Sequence, residues 1–399
     1  MKSTVHIRAG IVSILLLCAG MIGFDAYGRS LENRYINALA PLDINQTING
    51  IALQQAALQR PDLLLFYGSS DVMMTDTPYN AQRFFATYPT GFTVFQVANL
   101  GISSLNIAQY IAALGPDLRG KKVVVSISPA NFFIGNFYGK NFSTLCASKL
   151  VFSTHLSTEL KVDAAKRMSR YEDTLQNNPI LRFAVVQLTG TSKANRLLYL
   201  LSWPLGELHI LIMQLQEHAE IVLYLHSHPI DLNIKKIPQT IDWPTTLTTA
   251  LADQKEHTSS NSFGIEDDHW AKYQYLVNNP IAAGSGDADF MRLVRSYPEW
   301  GDLELLQRVL QEEGAEPLIL SRPMNVHLWE ALGVSEQAQN TYYVKLNKTI
   351  NQQHMLLVDF HQYGRDIYFS TDQYSHTSRD GWVYIDQTLD AFYHGQLKP

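Results

Sequence analysis

The apolar positions along the chain fall into short β-branched or aromatic runs separated by segments of helical periodicity. Leu63–Tyr67 (LLLFY), Val94–Ala98 (VFQVA), Val123–Ile127 (VVVSI), Pro317–Leu320 (PLIL) and Met355–Phe360 (MLLVDF) have the length and continuity of strands buried on both faces. Leu105–Leu114, Leu303–Glu313, Gln337–Gln353 and Val383–Tyr393 repeat their apolar residues at helical spacing instead. Strands alternating with helices of this size predict an α/β fold, a parallel sheet covered on both faces.

The interval of about 135–300 breaks this rhythm and is too long to be a loop, so it reads as an insertion, mostly helical. Within it Asn195–Leu225 is apolar but carries Pro204, Gly206, Glu207 and His209. These residues argue for packed helices over a membrane span; an apolar surface facing a bilayer or a partner is the alternative. At the amino terminus Ala9–Phe24 is an uncharged apolar run, with Lys2, His6 and Arg8 before it and Asp25 and Arg29 after it. Its roughly 16 residues lie between a signal-peptide core and a full span. Leu17 before Cys18 is a poor lipoprotein site, and Gly23, Asp25 and Tyr27 make a poor small-residue cleavage site. The expectation is an uncleaved signal anchor over 1–29, basic end in the cytoplasm, and an extracytoplasmic domain over 30–399.

Composition narrows the function. With 46% hydrophobic residues, 20 Tyr, 17 Phe and 6 Trp in 399 residues, the chain can bury a large core and is not a disordered polymer. Its 31 basic and 37 acidic residues leave a net charge of −6, the wrong sign for a general nucleic-acid binder. Two cysteines, Cys18 and Cys146, exclude a disulfide framework and a Cys-rich zinc site. Gly115–Lys121 (GPDLRGK) has most of a phosphate-loop pattern, but a helix precedes it and a strand follows, so it reads as a helix-to-strand turn. His226 and His228 have the spacing of a ligand pair on a strand without further ligands at a recognisable spacing, and Asp267-Asp268-His269 reads as a solvated loop. No metal or cofactor is expected.

Two segments carry chemistry. Gly68-Ser69-Ser70-Asp71 follows the first strand directly, placing a serine at the carboxyl edge of the sheet, where a following helix would offer its first N–H groups to an oxyanion. Asp372-Gln373-Tyr374-Ser375-His376, then Gly381-Trp382, follows the last strand. A histidine oriented by a carboxylate is the base such a serine needs, and both can converge above one sheet edge.

This constellation resembles the SGNH (GDSL-type) hydrolase superfamily, and more closely the DltD family of membrane-anchored D-alanyl transfer proteins. The similarity runs through Gly68-Ser69-Ser70-Asp71, Ser128-Pro129 with Phe132 and Phe133, Asn261–Ile265 (NSFGI) with Trp270, Glu299–Leu306 (EWGDLELL), Ser321–Asn325 (SRPMN) and His376 with Gly381-Trp382. It implies a three-layer α/β/α domain in which Ser70 is the nucleophile, His376 the base and Asp372 the orienter. Asp372 stands one residue further from the histidine than the usual D-x-x-H, which leaves Asp366 and Asp380 as alternatives. Asn99–Ser104 matches the N-x-G-x-x-G block with serine in the last place, so Gly101, the Ser104 amide and Asn131 are the implied oxyanion contacts. The resemblance also implies acyl transfer to a teichoic or lipoteichoic acid without cofactor. Its implied partners are a membrane-bound O-acyltransferase of the Dlt system, a D-alanyl carrier protein and the membrane. A membrane-tethered carbohydrate esterase and a non-catalytic scaffold are the competing readings.

Overall fold

A computed structural model describes residues 2–42, 50–73, 77–133, 143–232, 237–279, 281–372 and 376–397. Five strands, β1 (Leu63–Gly68), β2 (Thr93–Ala98), β3 (Lys122–Ile127), β4 (Glu316–Ser321) and β5 (Leu356–Asp359), form one sheet in the order β2-β1-β3-β4-β5. Every pairing is parallel. Each strand lies where the apolar runs place it, and the α/β class is as expected.

Side chains alternate between two cores, as a doubly covered sheet requires. Leu65, Tyr67, Phe95, Val97, Val123, Val125 and Ile319 face one core, packed by the helices Ile51–Leu58, Ser104–Leu114, Glu299–Glu313 and Glu336–Asn351. Leu64, Phe66, Val94, Val124, Leu318 and Leu320 face the other, packed by Ala81–Thr87 and the terminal helix Arg379–Tyr393. The chain reverses direction along the sheet between β1 and β3, and it is outside the carboxyl ends of the strands at such a switch point that a crevice opens.

The regular elements described between β3 and β4 are all helices; Gly135, the expected start of the insertion, lies outside the described residues. The Asn195–Leu225 tract is one continuous helix, Lys193–Ser227, running through Pro204, where several packed helices were expected. One proline costs a single backbone hydrogen bond, and the buried face of Tyr199, Ser202, Gly206, Ile210, His218 and Ile221 holds the helix together across it. Leu197, Leu200, Leu201, Leu205 and Leu208 are exposed. His226 lies in the last turn of this helix and His228 just beyond it, stacked on Tyr224, with no strand at that position. Gly115–Leu118 is a 3₁₀ turn leading to β3, as its context indicated.

The first helix, Lys2–Leu39, is long and apolar enough to cross a membrane, and its apolar window is exposed throughout. Its carboxyl-terminal part packs on the Lys193–Ser227 helix, where buried His218 bonds Glu32 and lies 3.2 Å from Asp25.

Candidate active site

Ser70 leaves β1 on a tight turn. Asp71 shapes that turn: its Oδ1 accepts the Ser69 N–H at 3.0 Å, and its Oδ2 accepts the Ser126 hydroxyl from the neighbouring strand β3. The helix expected to begin here does not; residues 69–73 are turn and bend, and the next described helix starts at Ala81. Any oxyanion donors near Ser70 are therefore turn amides rather than a helix amino terminus.

Above the carboxyl edge of the sheet the last loop brings His376 to Ser70. His376 Nε2 lies 2.9 Å from Ser70 Oγ, and its Nδ1 lies 2.6 Å from Asp372 Oδ2. Asp372 also accepts the His376 backbone N–H at 3.4 Å, so the one carboxylate fixes both the backbone and the ring. The extra residue between them is accommodated; Gln373–Ser375 themselves lie outside the described residues. Asp366 and Asp380, the alternative orienters, are engaged elsewhere, with Tyr368 N–H and with Ser378. Burial would depress the His376 pKa, but the hydrogen bond and charge of Asp372, helped by Asp71, outweigh it and hold the pKa above the ordinary histidine value.

The three implied oxyanion residues are placed unequally. The Ser104 N–H donates to Glu299 Oε1 at 2.7 Å, so that amide is already committed. Glu299 reaches it from the start of the Glu299–Glu313 helix and caps the first turn of Ser104–Leu114 from outside. Burial, with the charge of Asp302, pushes the Glu299 pKa up to about 8. Asn131 is buried and gives its Nδ2 to Ile102 O at 3.3 Å. Gly101 sits at φ 72°, and its amide makes no hydrogen bond among the described residues.

The serine and histidine open into a cavity of about 760 Å³. One side is formed by Thr371, Thr377 and Leu100; the other belongs to the long insertion, with Glu256, His257, Glu266 and Asp267-Asp268-His269. The segment expected as a solvated loop keeps Asp267 and Asp268 exposed, but it is the start of a short helix, Asp267–Trp270, and a wall of the site. Local sequence held no sign of this, because what brings it here is packing. Gly264 has φ 71°, and a Cβ there would stand 1.7 Å from Ile367 O, so only glycine lets this segment dock on the loop that leads to Asp372. Asn325 Nδ2 holds the same segment through Phe263 O at 2.9 Å. Glu266, Asp268 and His269 bring ligand atoms within 4.8 Å of one another, but Glu266 and Arg379 form an ion pair.

The chain can be set beside known proteins at this point. Residues 44–394 match the family model described as DltD protein. The Protein DltD of Bacillus subtilis (strain 168) is 29% identical over 356 residues, 86% of each chain. The Protein DltD of Staphylococcus aureus (strain NCTC 8325 / PS 47) is 23% identical over 359 residues, covering 89% of this chain and 87% of that one. A match of this extent, spanning the serine turn, the insertion and the Asp–His loop, shows that the chain belongs to the DltD family.

Proposed function

We propose that the protein is a membrane-anchored acyltransferase that moves a D-alanyl group through an ester on Ser70 to a cell-envelope polymer such as teichoic or lipoteichoic acid. The observation that carries this reading is the chain of contacts from Asp372 through His376 to Ser70, opening into a cavity. The DltD relatives supply the substrate class. The first helix is the anchor, and the remainder of the chain works outside the cytoplasmic membrane.

In the first half-reaction His376 Nε2 takes the Ser70 proton while Oγ attacks the acyl carbonyl. The tetrahedral oxyanion is met by amides of the Ser70 turn and by the Gly101 amide, which makes no hydrogen bond among the described residues. Collapse breaks the bond to the donor's oxygen or sulfur, which leaves with the proton from His376. In the second half-reaction His376 deprotonates an acceptor hydroxyl, which attacks the acyl-serine and restores Ser70. A membrane-bound O-acyltransferase, fed by a D-alanyl carrier protein, is the proposed source of the donor.

The exposed acidic side chains Glu256, Asp267 and Asp268 on the cavity wall suit an acyl group bearing an ammonium. A fluorophosphonate probe is expected to label the wild-type chain at Ser70 and to leave Ser70→Ala unlabelled. Envelope D-alanine in a Ser70→Ala strain is expected to fall; unchanged D-alanine with intact labelling of the wild type would leave an esterase and remove the transferase.

A further inference from the structure

Beneath the Ser70–His376 pair lies a cation that the proposed mechanism does not use. Arg322 follows β4 directly, and none of it is exposed. Its Nε donates to Ser126 Oγ at 2.8 Å and lies 3.5 Å from Asp71 Oδ2; Ser126 Oγ in turn donates to that same oxygen. Its Nη1 donates to Thr377 Oγ1 at 2.7 Å. The guanidinium lies over Trp382, its Cζ 5.1 Å from the ring centroid. Asp71 is the residue after the serine and Thr377 the residue after the histidine. A single planar, rigid fork therefore holds both loops whose side chains must meet.

We propose that Arg322 is a positioning residue for the Ser70–His376 pair, setting their separation by holding Asp71 on one side and Thr377 on the other. The proposal rests on the reading of Ser70 as an activated nucleophile. The environment is built around this one group. Burial lowers the Arg322 pKa to about 10, so it stays protonated at neutral pH. Asp386, the second carboxylate whose charge it feels, is itself pushed well above the usual carboxylate range by burial. That leaves Asp71 as the carboxylate that both bonds the network and shapes the nucleophile turn. A buried cation is costly unless it is paired and hydrogen-bonded. Retaining one under a catalytic pair is reasonable where a shorter or floppier group cannot reach both loops.

Lysine at 322 keeps the charge but cannot reach Ser126 and Thr377 together. The cleaner test removes only the arm to the histidine loop. In the full-length protein, Thr377→Val is expected to lower kcat for hydrolysis of a p-nitrophenyl ester by about 10–100-fold, the scale of an ångström-level misplacement of reacting groups. KM should change little, and Thr377→Ser, which restores the hydroxyl, should restore the rate. Arg322→Lys is expected to lose a similar factor, and the double variant Arg322→Lys/Thr377→Val to lose no more than the larger of the two, because both break one link. If Thr377→Val folds, melts as the wild type does and hydrolyses the ester at the wild-type rate, or if the two losses multiply, Arg322 does not position the pair. Failure of the wild type itself to hydrolyse the ester or to label at Ser70 would strike the activated-serine reading and not the role of Arg322.

Discussion

Replacing Asp372 by Asn keeps the shape of the side chain and removes the charge 2.6 Å from His376 Nδ1. Two consequences follow. An asparagine that donates its amide to Nδ1 forces the imidazole proton onto Nε2, the nitrogen that must accept from Ser70. In serine triads that wrong-tautomer state costs about 10⁴ in kcat. We expect Ser70 acylation to fall by about 10²–10⁴, or roughly 3–5 kcal/mol of barrier. Asp372 is also the main group holding the His376 pKa up, against burial and the positive charge of Arg322. In the proposed mechanism the neutral imidazole is the base, so wild-type labelling should rise with pH along a limb above the ordinary histidine pKa of about 6.5. In Asp372→Asn that limb should move to lower pH, making the deficit smallest in acid and largest above the wild-type limb. Fluorophosphonate labelling rates over about pH 5–9 measure both the plateau and the limb. A plateau within about threefold of wild type would show that Asp372 does not orient the base. A lost plateau with an unmoved limb would show that it does not set the titration. Stability offers an independent check. A raised folded-state pKa contributes stability that is present below about pH 6.5 and disappears as pH rises through the folded value, so Asp372→Asn should destabilise more in acid than in base.

The buried carboxyl of Glu299 should behave in the same sense: with its pKa raised from 4.5 to about 8, the stability it contributes is present in acid and is lost between about pH 4.5 and 8, and Glu299→Gln should flatten the fall in melting temperature across that window. Glu299→Ala leaves the buried Ser104 N–H unpaired and should cost about 1–3 kcal/mol in urea unfolding, whereas Glu299→Gln, which keeps the acceptor, should cost under about 1 kcal/mol; equal losses would contradict the capping role. Gly264→Ala drives a Cβ into Ile367 O and should cost more than about 3 kcal/mol while slowing Ser70 labelling. Gly120→Ala has the same sign of φ with no atom within 4 Å and should cost only about 1 kcal/mol. Similar unfolding midpoints for the two glycine variants would show that the close approach at 264 is not restrictive.

The amino-acid sequence alone determined what depends on neighbours along the chain. Buried strands are continuous apolar runs and helices repeat at 3.6 residues, so all five strands and the main covering helices were legible. The Asp372–His376 pair was legible for the same reason, since four residues on one loop suffice to bring them together. Tertiary structure decided what depends on residues far apart. Ser70 and His376 are 306 positions apart, and the parallel sheet delivers both to the same edge. The Ser104 amide met its acceptor across 195 positions, and no local pattern announces that Glu299 will take it. Asp267–His269 looked solvated because its composition is polar, and Asp267 and Asp268 are exposed; what only the fold decided is that the fit of Gly264 against Ile367 makes this segment a wall of the cavity. Arg322 sits in a block singled out for its resemblance, but a lone arginine after an apolar strand carries no sign of burial. Its role appears only where β1, β3, β4 and the last loop close around one charge, because the cost of burying a cation is met by partners from separate elements, which only the assembled fold brings into contact.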